Sequence, residues 1–371
     1  MGGFAIRAPR VSRNRRDMDT LTHGLAGALL GRAGSRAGRA AAVVAVASVG
    51  AMFPDLDAFF LPGRWFSMGN TMDYLRYHRG VTHSFLAAPF FALAIALLAR
   101  LAARRTPLPA LWAAALAGIV SHILFDWITS YGTMFFSPLS WRRYALDWVF
   151  ILDPYFTGIP VVTLVLALVF RARAQRIGVA GSILLFLYVG LCAVMHAEAL
   201  GCARRVFPGS RVSALPQPFS PRRWALFADR GDSIDVAYVK IGGKPEALPA
   251  APAAGRRWRF LQVLAALRAA YAAPAVAPIE HFETLDRDPA VVAARRSPDV
   301  ATWLRFARFP VARVETLADG GSRVTFTDLR FRGPWGRRPA FQYEVLLSPS
   351  GSERAAGFVR LFVVQDDVRR Q

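Results

Sequence analysis

The chain has 371 residues, of which 54% are hydrophobic and 19% are charged, and its formal net charge is +21. A disordered basic tail is far less apolar, and a soluble domain carries about 25% charged residues, so the composition indicates a bilayer. Lys240 and Lys244 are the only lysines among the 46 basic residues. The basic excess is therefore arginine, and because it is diffuse and accompanies no recognised motif, we expect no nucleic-acid partner.

The first 17 residues differ from the rest. They are basic, but they lack the apolar core of about 7–15 residues that a signal peptide needs. We expect residues 1–17 to be a disordered or mis-called extension and Met18 to be the true start.

Long apolar runs follow over the first 200 residues. Because a membrane span needs about 20 mostly apolar residues, these runs predict a polytopic helical membrane domain over 18–203. A shorter run at 20–31 predicts a re-entrant piece instead of a span. The long runs are 38–53, 85–103, 109–128, 154–170 and 178–200.

Beyond residue 204 the long apolar runs stop, and short alternating stretches take over. Turn residues between these stretches predict three β-hairpins, near 224–240, 311–331 and 341–364. We expect helices at 256–271 and 289–308 and a surface loop at 245–255. The fold class is thus mainly α: a helical membrane domain followed by a small, mostly antiparallel α+β extramembrane domain over 204–371. The length is compatible with two such domains.

Polar residues that suit metal chemistry lie in short islands beside the apolar runs. His122 and Asp126 are four residues apart in a predicted helix, so they lie on one face. Imidazole nitrogen and carboxylate oxygen are zinc ligands, although a His–Asp hydrogen bond that orients the helix is the alternative. The other islands hold His23, Asp55 with Asp57, His78 with His83, and Asp147 with Asp153.

The arginine pattern predicts that these islands share one side of the membrane. Arginines mark the cytoplasmic ends of spans, and they cluster at 32–39, 100–105 and 171–176. Every His/Asp island then lies toward the other side. We expect a multi-pass protein of the bacterial cytoplasmic (inner) membrane, with the site and the C-terminal domain on the periplasmic side. Some arginines do not follow this pattern, because they fall on the outer side. They are either ligands for phosphate or ordinary interfacial residues. These arginines are Arg64, Arg76, Arg79, Arg142 and Arg143.

The motifs MDTLTHGLAGALLG, FPDLDAFF and YHRGVTHS, followed by the His122–Asp126 pair, together resemble the YdjM-like family. The resemblance covers roughly 18–200. It implies a bacterial inner-membrane, metal-dependent hydrolase, with metal positions at His23, Asp55, His78, His83, His122 and Asp126. A more distant likeness is to zinc-dependent phospholipase C and P1-type nucleases. The later HxxxE-type pair of that group is missing here, which leaves the number of metals open.

These observations predict a membrane enzyme that hydrolyses an ester or phosphoester, with a lipid or lipid-linked substrate. A divalent metal, zinc in the first instance, would activate a water. Asp57 is a candidate general base, Asp153 would orient a ligating imidazole, and Arg79 would neutralise substrate phosphate. The alternatives are a transporter or ion pathway and a non-catalytic, metal-stabilised membrane protein. The oligomeric state is not predicted.

Overall fold

A computed structural model of the chain describes residues 18–35, 38, 40–59, 72–242, 271–334 and 340–359. The predicted extension at 1–17 and the predicted loop at 245–255 lie outside these residues, as does the predicted helix at 256–271 except for Tyr271.

Helices make up the N-terminal half, and each of the five long apolar runs contains one. Turns of 3-10 helix at Pro54–Phe59 and Val81–His83 follow the second and third helices. The predicted re-entrant piece is instead part of a regular 17-residue helix. The helices are α1 (Met18–Gly34), α2 (Ala40–Met52), α3 (Met72–Tyr77), α4 (Ala88–Ala102), α5 (Leu108–Trp127), α6 (Pro154–Val169) and α7 (Ala174–Val206).

The expectation of five spans is met only in part. Two helical segments in the described chain are long and apolar enough to cross a membrane, Leu108–Trp127 and Arg171–Val206. A third exists only if Met72–His83 and α4 form one broken span, because they meet at an angle of 74°. Helices α2 and α6 are apolar but shorter.

Glycines bring α1, α2 and α5 into close contact. A Cβ atom added at Gly27 would lie 2.6 Å from the carbonyl oxygen of Ala47, and one at Gly118 would lie 2.7 Å from the amide nitrogen of Ala51. Small residues allow helix backbones to approach in this way. As a result, the α5 face that carries Gly118, His122 and Asp126 lies directly against the end of α2.

Helix α7 connects the two halves of the molecule. Its 33 residues span about 50 Å, which exceeds the roughly 30 Å of a bilayer core. The last turns of α7 pack against the first sheet, where Cys202 and Phe207 share a core with Trp224. The predicted domain boundary at 203/204 falls in the final turn of this helix.

The C-terminal half contains two four-stranded sheets, each with consecutive strand order and antiparallel pairing. The predicted hairpins at 224–240 and 311–331 are confirmed. The third has its first strand at the predicted place, but its second strand, Glu353–Phe358, begins earlier than the predicted 357–364, and residues 360–364 lie outside the described part of the chain. Strands β1 and β4 were not predicted. The predicted helix at 289–308 is two helices, because Pro298 begins a new one. The elements are β1 (Arg211–Pro216), β2 (Arg223–Asp229), β3 (Ser233–Lys240), β4 (Ile279–Glu283), α8 (Pro289–Ala294), α9 (Pro298–Phe306), β5 (Pro310–Thr316), β6 (Ser322–Asp328), β7 (Tyr343–Leu347) and β8 (Glu353–Phe358).

The second sheet packs against the loop between α5 and α6. Tyr131 in this loop shares a core with Trp303 and Phe306 of α9. Arg308 donates hydrogen bonds of 2.7 and 2.9 Å to the carboxylate of Asp147. Asp147, which the sequence placed in a polar island, therefore joins the two halves of the chain.

Candidate metal centre

Five side chains from four separate segments converge in the interior of the N-terminal half. His23 comes from α1, Asp55 from the turn after α2, His83 from the turn after α3, and His122 and Asp126 from α5. Their placement follows from local sequence. Pro54 begins a 3-10 turn that directs Asp55 inward, and the i,i+4 spacing aligns His122 with Asp126.

Four donor atoms of this cluster lie at the separations expected of ligands around one small cation. The Nε2 atoms of His83 and His122 are 3.1 Å apart. Asp126 Oδ2 lies 3.3 Å from the first and 3.4 Å from the second. Asp55 Oδ1 lies 3.6 and 3.4 Å from the same two nitrogens. A tetrahedral zinc site with bonds of about 2.0–2.1 Å has ligand–ligand edges of about 3.3–3.4 Å.

The hydrogen bonds of the two imidazoles leave their Nε2 atoms free to bind a cation. His122 Nδ1 donates to the carbonyl oxygen of Ala51 at 2.6 Å. Thr82 donates its hydroxyl proton to Asp57 at 2.9 Å, so its oxygen accepts from His83 Nδ1 at 3.0 Å. In its neutral form each ring would carry its proton on Nδ1, so that its Nε2 lone pair would face the centre.

The cluster is buried and rich in acceptors. His83, His122 and Asp126 are each 0% exposed. The Oδ2 atom of Asp126 has no hydrogen-bond donor within the described part of the chain. Acceptor lone pairs that face one another in a dry interior repel, and a bound cation relieves this repulsion. The donor set therefore fits a divalent metal.

His23 and Thr20 support this donor set from α1. His23 is buried, stacks on His122 with ring centroids 3.9 Å apart, and places its Nε2 3.3 Å from Asp126 Oδ1. Thr20 donates a 2.6 Å hydrogen bond to Asp55 Oδ2, which leaves Oδ1 directed at the imidazoles. His23, Asp55 and His122 also form a second group that could hold a metal.

Arg79 lies beside the cluster, where the sequence predicted a cation. Its backbone has a φ of 63°, which turns the side chain into the interior. The guanidinium is buried, lies 2.9 Å from Asp126 Oδ1 and donates to Thr129 at 3.2 Å. Whether Arg79 also binds substrate phosphate stays a prediction.

Asp57 and His78 lie next to the donor set. Asp57 accepts hydrogen bonds from His78 Nδ1 at 2.7 Å and from the Arg79 amide at 3.2 Å, besides that from Thr82. Burial favours the neutral acid, but the adjacent His78 imidazole holds the pKa of Asp57 well below its ordinary value. Through these bonds Asp57 orients Thr82 and, through it, His83. Metal binding by His78 and base catalysis by Asp57 stay predictions.

Asp153 caps a helix. Its Oδ1 accepts hydrogen bonds of 2.8 and 3.0 Å from the amides of Tyr155 and Phe156, and its Oδ2 accepts one of 2.7 Å from the Tyr188 hydroxyl. Asp153 is therefore the N-cap of α6, a preferred position for aspartate. No imidazole is among these partners, and its predicted role of orienting a ligating imidazole stays a prediction.

Sequence reasoning missed the groups that orient the ligands. Thr20 and Thr82 both lie inside motifs that carried the family resemblance, and their spacing of three and one residues from His23 and His83 was the available signal. No sequence signal points to the carbonyl of Ala51. The remaining histidines lie elsewhere: His196 is 5.6 Å from the Trp224 ring, and His281 pairs with Asp235.

Comparison with known proteins identifies a family for the N-terminal half of the chain. Residues 18–199 match the profile of a family described as YdjM inner membrane protein. The uncharacterized protein YfhP of Bacillus subtilis strain 168 is 31% identical over 145 residues, which cover 37% of this chain and 42% of YfhP. The alignment thus spans less than half of that relative.

No solved structure matches the chain, and the likeness to zinc-dependent phospholipase C and P1-type nucleases finds no support. The family match includes every side chain of the donor set. This chain therefore belongs, through residues 18–199, to the YdjM family of inner membrane proteins.

Proposed function

We propose that the protein is a membrane-bound, metal-dependent hydrolase of an ester or phosphoester. One observation carries the proposal: two imidazole nitrogens and two carboxylate oxygens from distant segments lie 3.1 to 3.6 Å apart across five measured pairs. A structural ion pair needs one partner for each charge, whereas this arrangement directs four lone pairs at one point.

The residues divide into metal ligands and a base. His83, His122 and Asp126 would hold the ion, and a bound divalent ion such as zinc would lower the pKa of water toward about 7 and polarise the substrate oxygen. The fourth donor, Asp55 Oδ1, lies 3.4 Å from His122 Nε2. As the base, Asp55 would leave the fourth position of the tetrahedron to a water and would accept the proton of that water.

The neighbouring groups would hold this arrangement in place. Arg79 balances the charge of Asp126, and its donors face developing negative charge on a substrate oxygen. Asp57 keeps His83 in the tautomer that presents Nε2, through Thr82. Arg79 and Asp57 would support the metal ligands without binding the metal themselves. Loss of either side chain should therefore weaken hydrolysis without abolishing metal binding.

A non-catalytic metal site is the main alternative, and one observation favours it. If Asp55 binds the metal directly, four protein ligands fill the tetrahedron, and closed sites of this kind are structural. A transporter is less favoured, because a path needs polar groups across the membrane depth, whereas these donors gather in one cluster.

Metal content tests the site. We expect the purified protein to bind about one divalent ion more per chain than the His122→Ala/Asp126→Ala variant. His281→Ala, an exposed histidine outside the cluster, is the matched control and should keep the metal. Equal and negligible metal in all three proteins would refute the site.

Activity separates the enzyme from the structural alternative. Bis-p-nitrophenyl phosphate and p-nitrophenyl acetate serve as model substrates for the two ester classes. The Asp55→Asn variant should retain metal and lose hydrolysis if Asp55 is the base. Loss of metal in Asp55→Asn, together with no hydrolysis by the wild type, would establish the closed, non-catalytic site.

We also propose that the site and the C-terminal domain face the periplasm. Arginines lie at the α4–α5 and α6–α7 turns, and Gln175 beside the latter donates to the Ala33 carbonyl at the end of α1 at 3.4 Å. Those helix ends would be cytoplasmic under the positive-inside rule. A periplasm-dependent reporter fused after Arg205 should be active, and an inactive fusion would invert the orientation.

A further inference from the structure

A cleft of about 1070 Å³ lies between the two halves of the chain, beside the metal centre. Helix α3 and the loop after α5 form one wall, and α9 of the C-terminal domain forms the other. None of the groups assigned to metal binding lines it. The cleft is therefore a separate feature of the molecule.

The lining of this cleft is strongly basic. No acidic side chain occurs among the described residues that line it, although two of its arginines pair with carboxylates outside the lining. Arginine is suited to planar, bidentate recognition of phosphate. The six lining arginines are Arg76, Arg142, Arg143, Arg305, Arg308 and Arg330.

Three of these arginines are engaged in the fold. Arg143 donates to the carbonyl oxygens of Gly132, Leu75 and His78, at 3.1, 2.7 and 3.1 Å. Arg308 pairs with Asp147, and Arg330 pairs with Asp328 at 2.7 Å. These three side chains are held in place by their partners and form part of the cleft wall.

The other three, Arg76, Arg142 and Arg305, are exposed, and none has a carboxylate partner among the residues that the structure describes. Arg76 and Arg305 each donate a 3.0 Å hydrogen bond to the Thr302 hydroxyl, which leaves their remaining N–H groups for a ligand. They come from three elements: α3, the α5–α6 loop and α9. A cation from each wall facing one cavity is a typical arrangement for binding a shared anion.

Aromatic and aliphatic side chains lie at the same cleft. Trp141 lines it and is 48% exposed, and the neighbouring Leu139 is 82% exposed. Tryptophan beside an exposed leucine is typical of the membrane–water interface. A ligand with an anionic group and an apolar part would therefore match this lining.

Tyr131 joins the cleft to the metal centre. It lines the cleft, and the Arg79 guanidinium lies over its ring at 4.7 Å. Its ring also contacts His78, with centroids 5.8 Å apart. Tyr131 is 7% exposed, and its hydroxyl has no hydrogen-bond partner within the described chain. An unpartnered buried hydroxyl at this wall is suited to a polar ligand.

We propose that this cleft binds an anionic phosphate group of the substrate, with Arg76, Arg142 and Arg305 as its phosphate ligands. The identification of the bound molecule as a substrate rests on the proposed hydrolase function. Binding of the anion to the arginines does not itself require a metal. A phospholipid headgroup and a soluble phosphomonoester carry the same chemistry. Exposed Trp141 and Leu139 favour the lipid.

Quenching of tryptophan fluorescence measures this binding. The protein is placed in phosphatidylcholine nanodiscs and titrated with dibrominated phosphatidylglycerol, with dibrominated phosphatidylcholine as the neutral reference. We expect saturable quenching by the anionic lipid alone. Trp141→Phe should remove much of that signal, because quenching acts at short range and Trp141 lines the cleft.

Charge variants decide whether the cleft is responsible. Arg142→Gln/Arg305→Gln should weaken the apparent affinity for phosphatidylglycerol about tenfold or more. The control Arg211→Gln/Arg313→Gln removes two highly exposed arginines elsewhere and should change it little. Arg142→Gln alone guards against misfolding, since its side chain is exposed and lies only over the Tyr144 ring. Equal affinities in both double variants, or no saturable quenching, would overturn the proposal.

Two further experiments identify whether the bound anion is a lipid or a soluble phosphoester, and distinguish binding in the cleft from hydrolase activity. Displacement of the lipid by excess glycerol 1-phosphate would support a soluble phosphoester, and no displacement would support the lipid. Binding is then repeated with His122→Ala/Asp126→Ala. Lipid binding retained by this variant, together with no hydrolysis by the wild type, would keep the cleft and reject the enzyme. Wild-type hydrolysis, together with lipid binding that the cleft variants leave unchanged, would do the reverse.

Discussion

Gly118→Ala is the sharpest test of how the helices build the metal centre. The added methyl would lie 2.7 Å from the Ala51 amide nitrogen and would also clash with the Ala47 carbonyl oxygen. Both contacts are with backbone, which cannot rotate away. Helix α5 must therefore move from α2, and His122 moves with it, because it lies one turn further along the same face.

The size of the effect follows from the contacts that are lost. Overpacking in a tight interior costs about 1–3 kcal/mol, and loss of the hydrogen bond from His122 to Ala51 costs about 1 kcal/mol more. We expect the free energy of unfolding to fall by about 2–4 kcal/mol. A metal site tolerates about 0.2 Å in its ligand distances, so metal affinity should fall by about tenfold or more.

Thermal unfolding and metal content in detergent are the measurements, with Gly158→Ala as the matched control. Gly158 also lies inside an apolar helix, but no atom lies within 4 Å of an added Cβ there. Both variants gain the same helix propensity, so their difference isolates the α2–α5 contact. If Gly118→Ala and Gly158→Ala melt alike and bind equal metal, the close approach of α5 and α2 does not position the site.

Three further predictions address the ligands and the C-terminal domain. Asp153→Ala should cost about 1 kcal/mol of stability through loss of the α6 cap and leave metal content unchanged, and a loss of metal would support its predicted orienting role. Chelation should lower the melting temperature of the wild type but not of His122→Ala/Asp126→Ala, and an equal shift in both would show that the metal binds elsewhere. Burial opposes ionisation of Asp235, but hydrogen bonds from His281 and Arg230 hold its pKa below the ordinary 3.8. Ionised Asp235 therefore stabilises the fold above that pH, so the melting temperature of Asp235→Asn should lie below the wild-type value at pH 7 and approach it as pH falls below about 3.8. A gap that does not narrow would contradict this assignment.

The sequence predicted most of the secondary structure because both halves carry strong local signals. The five apolar runs each contain a helix, and hairpins at 224–240 and 311–331 follow turn residues between alternating stretches. Strand β4 was missed because its segment IEHFE is short and its two half-buried positions, Glu280 and Phe282, do not form an apolar alternation. Membrane crossing was less predictable, since α2 and α6 are apolar but fall short of a span.

The pairing of His122 with Asp126 was accessible from residue type and spacing alone. An imidazole and a carboxylate at i,i+4 on one helix share a face whatever surrounds them, so His122 and Asp126 could be paired from the sequence. The same local logic does not decide the role of Asp153, because a carboxylate before a proline serves equally well as a helix cap and as a partner for histidine.

Only the tertiary structure decided how the polar islands combine. Whether Asp55 or Asp57 faces the imidazoles depends on the turn after α2, which directs Asp55 to His122 and Asp57 to His78. The basic cleft needs α3, the α5–α6 loop and α9, and α9 is more than 100 residues of chain away from the other two segments. Sequence therefore determined which chemical groups are present and which helices carry them. Packing determined which groups meet, because distances between distant segments are set by close contacts such as those at Gly27 and Gly118, which no local pattern encodes.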